Sequence, residues 1–168
     1  MEKYRSKDLD ELIQAANEEF EKNGRSPRFI RYENFVLNSG PAQAIKKFCN
    51  NCPGADLDKS YEAIMNRTDV FTICMFVAEH EDEIDVNKIT KKFMMEENLQ
   101  GLSYLLNYQV KGMDCLEICG YLVSKNKANK ISSEDIADFV HEVKNNDEFT
   151  DTARRIWGTN SHDTDKSQ

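Results

Sequence analysis

Cys49 and Cys52 have the Cys-x-x-Cys spacing that supplies half of a tetrahedral zinc site. A complete site needs two more ligands, and the chain contains no second pair with this spacing. Cys115 and Cys119 lie four residues apart and could in principle complete a four-cysteine site. They stand in an apolar pattern, however, where cysteine behaves as a small hydrophobic residue. We therefore predict that the protein binds neither a metal ion nor another cofactor, and zinc at Cys49 and Cys52 remains the alternative.

The segment from Ser124 to Asp135 has the length of a calcium-binding loop between two helices. Ile131 stands where such a loop places its central apolar residue. The ligand positions nevertheless include Asn126 and Ala128, with lysines between them, where calcium needs several carboxylates and a closing glutamate. We expect a helix–loop–helix hairpin that binds no calcium.

Catalytic patterns are missing from the sequence. It contains no Gly-x-Ser-x-Gly turn, no glycine-rich phosphate loop and no His-Glu-x-x-His helix. The histidines His80, His141 and His162 are far apart, and the first two end apolar helical runs beside glutamates. In a chain with 30 acidic residues, paired carboxylates are expected on solvated helix faces. We predict that the protein is not an enzyme and has no catalytic residues.

A basic patch between residues 22 and 47 stands out on a chain whose net charge is −8. Residues 21–47 hold six basic and two acidic residues, a net charge of +4, which leaves −12 for the remainder. The side chains that we predict to bind a partner here are Arg25, Arg28, Arg31, Lys46 and Lys47. Arginine offers planar, paired donors that suit carboxylates and phosphates. Three interpretations stay open: an acidic partner protein, the phosphates of RNA or single-stranded nucleic acid, or glutamates of neighbouring helices.

Met94 and Met95 form a second candidate contact surface. They follow Phe93 in a helical pattern, and a helix cannot bury three consecutive side chains in one narrow stripe. One of the three is therefore expected to face outward or into a groove, where methionine adapts well to binding partners. The alternative is a wide buried face without a binding role.

The elements that must position these residues are helical. Leu9, Ile13, Ala16 and Phe20 recur at the spacing of one helix face, and similar patterns follow along most of the chain. Glycine and proline are scarce, at 7 and 3 residues, which disfavours a turn-rich β protein. We predict an all-α fold, a compact bundle of about nine or ten short helices.

An internal duplication is visible within this helical pattern. The segments 69–77 and 114–122 share an aspartate, an Ile-Cys pair and an aromatic–aliphatic pair at equal spacing, and each precedes an Asn-Lys-Ile sequence. The period of about 42–45 residues is typical of a two-helix repeat. We predict two related helix pairs over residues ~69–97 and ~114–143, with Phe76 and Tyr121 at equivalent core positions.

The predicted organisation is a single all-helical domain over residues 1–157 and a disordered polar tail over residues 158–168. The chain has no apolar run approaching the roughly 18 residues of a membrane span. We also find no pattern of a signal peptide near residue 1, so we expect a cytoplasmic location, with the nucleus as the alternative.

The functional prediction follows from these observations together. We expect a non-enzymatic intracellular adaptor or regulatory protein that acts through protein–protein interaction, with self-association as a further option. The alternative is binding of RNA or single-stranded nucleic acid through the basic patch. No membrane partner is expected.

Overall fold

The computed structural model describes the chain from Ser6 to Gly158, with side chains from Asp8 onward. This part of the chain forms ten α-helices and no strand, which confirms the predicted all-α fold. The helices are α1 (Ser6–Asn23), α2 (Pro27–Ser39), α3 (Ala42–Asn51), α4 (Leu57–Met65), α5 (Val70–Glu79), α6 (Val86–Met95), α7 (Leu99–Asn107), α8 (Cys115–Lys127), α9 (Ser133–Glu142) and α10 (Asp147–Trp157). Within the described range, no helix is both long enough and apolar enough to cross a membrane.

Polar caps and a glycine set several helix ends where the sequence pattern predicts them. The Ser26 side chain accepts a hydrogen bond from the backbone N–H of Phe29 at the start of α2. Asn98 and Ser132 cap α7 and α9 in the same way. Gly24 ends α1 with φ of 64°, a left-handed conformation that glycine adopts without strain. These local signals fix the boundaries because each satisfies backbone groups that a helix end leaves unpaired.

Two helix ends depend on polar side chains that apolar periodicity does not identify. Thr68 and Asp69 are neighbouring capping candidates, and Asp69 caps α5, because its carboxylate accepts hydrogen bonds from both the backbone N–H and the hydroxyl of Thr72. The helix α8 continues to Lys127, although the apolar pattern indicates an end near Val123. The last turn of α8 is polar and carries lysines that favour a helix C-terminus, so apolar periodicity does not reveal it.

The chain divides into two compact units, one ending at Phe76 and the other beginning at Val77. The single domain expected over residues 1–157 stays a prediction. Of the predicted polar tail, residues 159–168 lie outside the described residues.

The core of the first unit is built around aromatic rings. Phe29 lies between Phe20 and Phe48, with ring centroids 5.5 and 6.1 Å away. Phe29 and Phe48 are completely buried. A second pair, Tyr61 and Phe76, stacks with centroids 6.3 Å apart. Such ring pairs stabilise a core both through the large apolar area they bury and through their relative orientation.

The core of the second unit combines leucines of α7 with the apolar face of α8. Leu102, Leu105 and Leu106 are completely buried, as are Ile118 and Leu122. The helices α9 and α10 meet through an edge-to-face ring pair, Phe139 and Phe149, with centroids 5.6 Å apart. This aromatic pair fixes the two helices against each other at one level of their length.

The two copies of the predicted duplication each contain two helices, α5 with α6 and α8 with α9. Cys74 and Cys119, which align in the sequence, are both completely buried. The aligned pair Phe76 and Tyr121 differs, because Phe76 is completely buried whereas Tyr121 is half-buried. The second copy therefore exposes part of a side chain that the first copy encloses.

Candidate functional site

Arg25 of the predicted basic patch is held in an internal ion pair. Its guanidinium donates to both carboxylate oxygens of Glu33 at 2.8 and 3.0 Å, and to the carbonyl oxygen of Gly54 at 2.5 Å. Glu33 is completely buried, and the hydrogen bonds to it raise the pKa of Arg25 above its ordinary value. One interpretation of the patch is that its arginines pair with glutamates of the protein itself. Arg25 makes such a pair with Glu33.

The two lysines of the patch lie on α3 beside α1. The ammonium group of Lys47 lies 2.6 Å from a carboxylate oxygen of Asp10. Lys46 is half-buried. Both lysines line a polar cavity of about 600 Å³ together with residues of α1 and α3. Because the Lys47 pair is about half exposed, we expect it to contribute little to stability and to open readily.

Arg28 and Arg31 remain on the outer surface of α2. The Nε of Arg28 donates to the hydroxyl of Tyr32 at 3.0 Å, and its guanidinium lies 5.7 Å from the centre of the same ring. Arg31 is exposed on the same helix. The predicted patch thus consists of three parts in the structure: Arg25 held by the buried Glu33, two lysines that line a cavity, and two exposed arginines.

The three consecutive apolar residues of α6 separate as the helix geometry requires. Phe93 and Met94 are buried, at 2% and 8% exposure, whereas Met95 is 83% exposed. Phe93 packs against Gly101 of α7 so closely that a Cβ there would lie 2.6 Å from the ring. Met95 is therefore the methionine that a partner can reach without disturbing the core.

A groove in the second unit is a candidate site that the sequence patterns did not reveal. It has a volume of about 740 Å³ and is lined by residues of α9, α10 and the link between them. Its floor is apolar, with the side chains of Ile136, Val143 and Ala153 buried. Ala137 and His141 are exposed along the same groove, so it opens to solvent.

The charged side chains of this groove are all basic. Lys144 and Arg154 line it together with His141, and no aspartate or glutamate belongs to the lining. Arg154 lies 3.7 Å from Asp151 in an exposed ion pair on α10, and such a pair contributes little. Trp157, which is the single tryptophan of the chain, closes the lining next to Gly158. The α9–α10 groove thus has an apolar floor, and its charged lining residues are basic although the protein as a whole is acidic.

Apolar spacing in the sequence is consistent with short helices around Ile136, Val140 and Trp157, but it gives no sign of a groove between them. The available signal was the spacing of Thr150, Ala153 and Trp157, which marks one face of a helix. That spacing does not tell whether the face is covered by another helix. Only the packing of α9 and α10 reveals an uncovered face.

The cysteines give no complete ligand set. Among the described residues, no group of three or more His, Cys, Asp and Glu side chains is placed to hold a metal ion. Cys52 is buried, its Sγ donates to the carbonyl oxygen of Ile13 at 3.7 Å, and burial raises its pKa to about 11. Cys49 is half-buried.

Comparisons with family models, with curated proteins and with solved structures found no match for this chain. Three surfaces of the described chain are candidates for contact with a partner. These are the exposed arginine pair of α2, the exposed Met95 of α6 and the α9–α10 groove.

Proposed function

We propose that the protein is a non-enzymatic adaptor or regulatory protein that acts by holding a partner protein. The observation that carries this proposal is the α9–α10 groove, an open trench of about 740 Å³ with an apolar floor. Concave apolar surfaces with a few polar groups at their edges are the usual form of a binding site. An open trench between two helices suits a chain segment laid along it, which is a recurring way in which proteins recognise one another.

A location in the cytoplasm fits the proposal. All five cysteines are free thiols, and four of them are buried. Free thiols persist in reducing compartments, whereas secreted proteins of this size commonly pair their cysteines.

Site-specific photo-crosslinking tests the adaptor function. A photoreactive amino acid replaces Ala137, which is exposed in the groove, and the matched control replaces Asp135 on α9. These two positions point about 160° apart, on nearly opposite sides of the helix axis. The crosslinking is done in extracts of the cells that make the protein. We expect one defined protein to crosslink from position 137 and not from position 135. No adduct, or the same adducts from both positions, would contradict the proposal.

Met95 offers an independent test of a second protein contact. Met95→Asp leaves the core unchanged because the side chain is 83% exposed, whereas Met94→Asp would place a charge among buried side chains. If α6 contributes to the interface, Met95→Asp weakens capture of the crosslinked partner while the melting temperature stays constant. Unchanged capture would restrict the interface to the groove.

Nucleic-acid binding is the second candidate function, and the exposed pair Arg28 and Arg31 favours it. Tyr32 lies beside Arg28 and could stack on a base. The double variant Arg28→Glu/Arg31→Glu should abolish binding of a single-stranded oligonucleotide, and binding by the wild type should fall steeply with salt. The charge-matched control is Lys127→Glu/Lys130→Glu in the second unit. Equal affinity of the two variants would remove this candidate.

A further inference from the structure

The two helices that form the α9–α10 groove each present one continuous stripe to it. On α9 the stripe contains Ser133, Ile136, Ala137 and Val140, and on α10 it contains Thr150, Ala153, Arg154 and Trp157. These positions follow the i, i+3, i+4, i+7 rule, so each stripe covers about two helical turns, about 10 Å. A helix lies against such stripes more readily than an extended chain, because the ridges of three helices can then interlock.

The edges of the groove restrict the charge of its occupant. Lys144 lies in the link just after α9, and Arg154 lies on α10, so cationic groups come from two of the segments that form the groove. Neither is opposed by an acidic lining residue, although the chain as a whole carries −8. Acidic side chains lie nearby as well, because Asp151 is 3.7 Å from Arg154 and Asp138 and Glu142 are exposed on α9. Lys144 and Arg154 differ from these acids in lining the groove itself, so they are the charged groups that a bound segment contacts directly.

We propose that the α9–α10 groove binds an amphipathic helical segment of another protein whose apolar face is flanked by aspartates or glutamates. This inference rests on the proposed adaptor function and adds the chemistry of the partner. Two or three large apolar side chains of the segment, spaced as i, i+3 or i+4, and i+7, lie on the floor formed by Ile136, Val143 and Ala153. Its carboxylates face Lys144 and Arg154, which set the orientation and select against basic segments.

The single tryptophan makes the test direct. Trp157 lines the groove, so a helical peptide without tryptophan or tyrosine can be titrated against the intact protein while the emission of Trp157 reports occupancy. Three peptides of about 12 residues share one leucine face and differ in their flanks, which carry glutamate, glutamine or lysine. We expect the glutamate peptide to bind saturably and at least about tenfold more tightly than the lysine peptide.

Charge reversal in the groove tests whether Lys144 and Arg154 cause the preference for the glutamate peptide. The double variant Lys144→Glu/Arg154→Glu should invert the preference, so that the lysine peptide now binds more tightly than the glutamate peptide. Lys130→Glu/Arg155→Glu is the matched control, because it makes the same change in net charge at exposed residues outside the groove lining. That control should keep the wild-type preference. Circular dichroism confirms that both variants fold.

The outcomes separate this inference from the proposed function. Equal binding of the three peptides, or a preference that the groove variant does not invert, overturns the acidic partner but leaves a groove that binds helices. If no peptide changes the emission of Trp157 while crosslinking from position 137 still captures a protein, the helical partner is wrong and the adaptor function stands. If both experiments fail, the proposed function fails as well.

Discussion

The carboxylate of Glu33 is completely buried and accepts two hydrogen bonds, of 2.8 and 3.0 Å, from the guanidinium of Arg25. The same carboxylate accepts the backbone N–H of Asp56 at 2.9 Å, and Arg25 also donates to the carbonyl oxygen of Gly54. One ion pair thereby ties the start of α2 to the loop before α4. Such a pair is needed once the charge is buried, because an unpaired carboxylate there would be costly.

Removing the guanidinium should destabilise the first unit strongly. We expect Arg25→Ala to lower the free energy of unfolding by about 3 kcal/mol, because Glu33 is left with a buried charge and one backbone donor. This figure lies at the lower end of the range for buried pairs, since the Arg25 side chain is 35% exposed and water can partly replace it. Chemical denaturation measures the change. Arg31→Ala, at an exposed arginine nearby, should change stability by less than about 0.5 kcal/mol; equal effects would refute the structural role of Arg25.

Truncation of Phe76 should show how much α5 contributes to the core. Phe76 is completely buried and stacks on Tyr61, so Phe76→Ala should cost about 3–5 kcal/mol. Phe71→Ala on the same helix is the control, because Phe71 is 48% exposed and its loss should cost about 1 kcal/mol or less. A Phe76→Ala protein that melts like the wild type would show that α5 is not a core helix.

Calorimetry on these same variants tests the prediction of a single domain. If residues 1–157 fold as one domain, the calorimetric and van't Hoff enthalpies of the wild type agree, and Phe76→Ala shifts the whole transition. Two separable unfolding transitions, of which only one is shifted by Phe76→Ala, would contradict a single cooperative domain.

The hydroxyl of Tyr121 should be dispensable. It is buried without a hydrogen-bond partner among the described residues, and burial raises the pKa of Tyr121 above its usual value. Removing an unsatisfied buried group relieves its desolvation cost, so Tyr121→Phe should leave stability unchanged or raise it by up to about 1 kcal/mol. Thermal and urea denaturation measure this. Tyr104→Phe, whose hydroxyl accepts a hydrogen bond from Gln100, is the control and should not stabilise. A clear loss of stability in Tyr121→Phe would mean that the hydroxyl has a partner.

One thiol should react far faster than the others in the folded protein. Cys49 is half-buried, whereas Cys52, Cys74, Cys115 and Cys119 are buried. Burial also raises the pKa of these four thiols to between about 11 and about 12, which suppresses the reactive thiolate. Titration with a chromogenic disulfide should show one fast thiol per chain, lost in Cys49→Ser, and five in denaturant. A second fast thiol would contradict the buried placement.

The raised thiol pKa values predict a loss of stability in alkali. The buried Cys119 thiol keeps its proton up to a pKa of about 12, against 9.0 for an ordinary cysteine. Above pH 9 the unfolded chain loses this proton first, so the stabilisation is complete below pH 9 and declines as the pH rises toward 12. Cys119→Ala should reduce the alkaline slope of unfolding free energy by about 1.4 kcal/mol per pH unit. Denaturation at a series of pH values, with a reductant present, measures this slope for the wild type and for Cys119→Ala. The two slopes should coincide between pH 6 and 8 if the Cys119 thiol alone is responsible for the difference.

Local signals in the sequence determined the helices themselves. Apolar residues at helical spacing and polar residues such as Ser26, Asn98 and Ser132 specify where most helices lie, because helix formation and capping depend on near neighbours in the chain. Apolar periodicity does not reveal the end of α8, because the last turn of this helix is polar.

Tertiary packing decided which of the candidate residues remain available to a partner. The sequence grouped Arg25 with Arg28 and Arg31, yet Arg25 is held by a buried glutamate while the other two stay on the surface. It grouped Met94 with Met95, and only the position of α6 against its neighbours buries the first and exposes the second. The α9–α10 groove depends on two helix faces that no neighbouring helix of the described chain covers. Periodicity reveals that a helix has an apolar face, but only three-dimensional packing determines what lies against it.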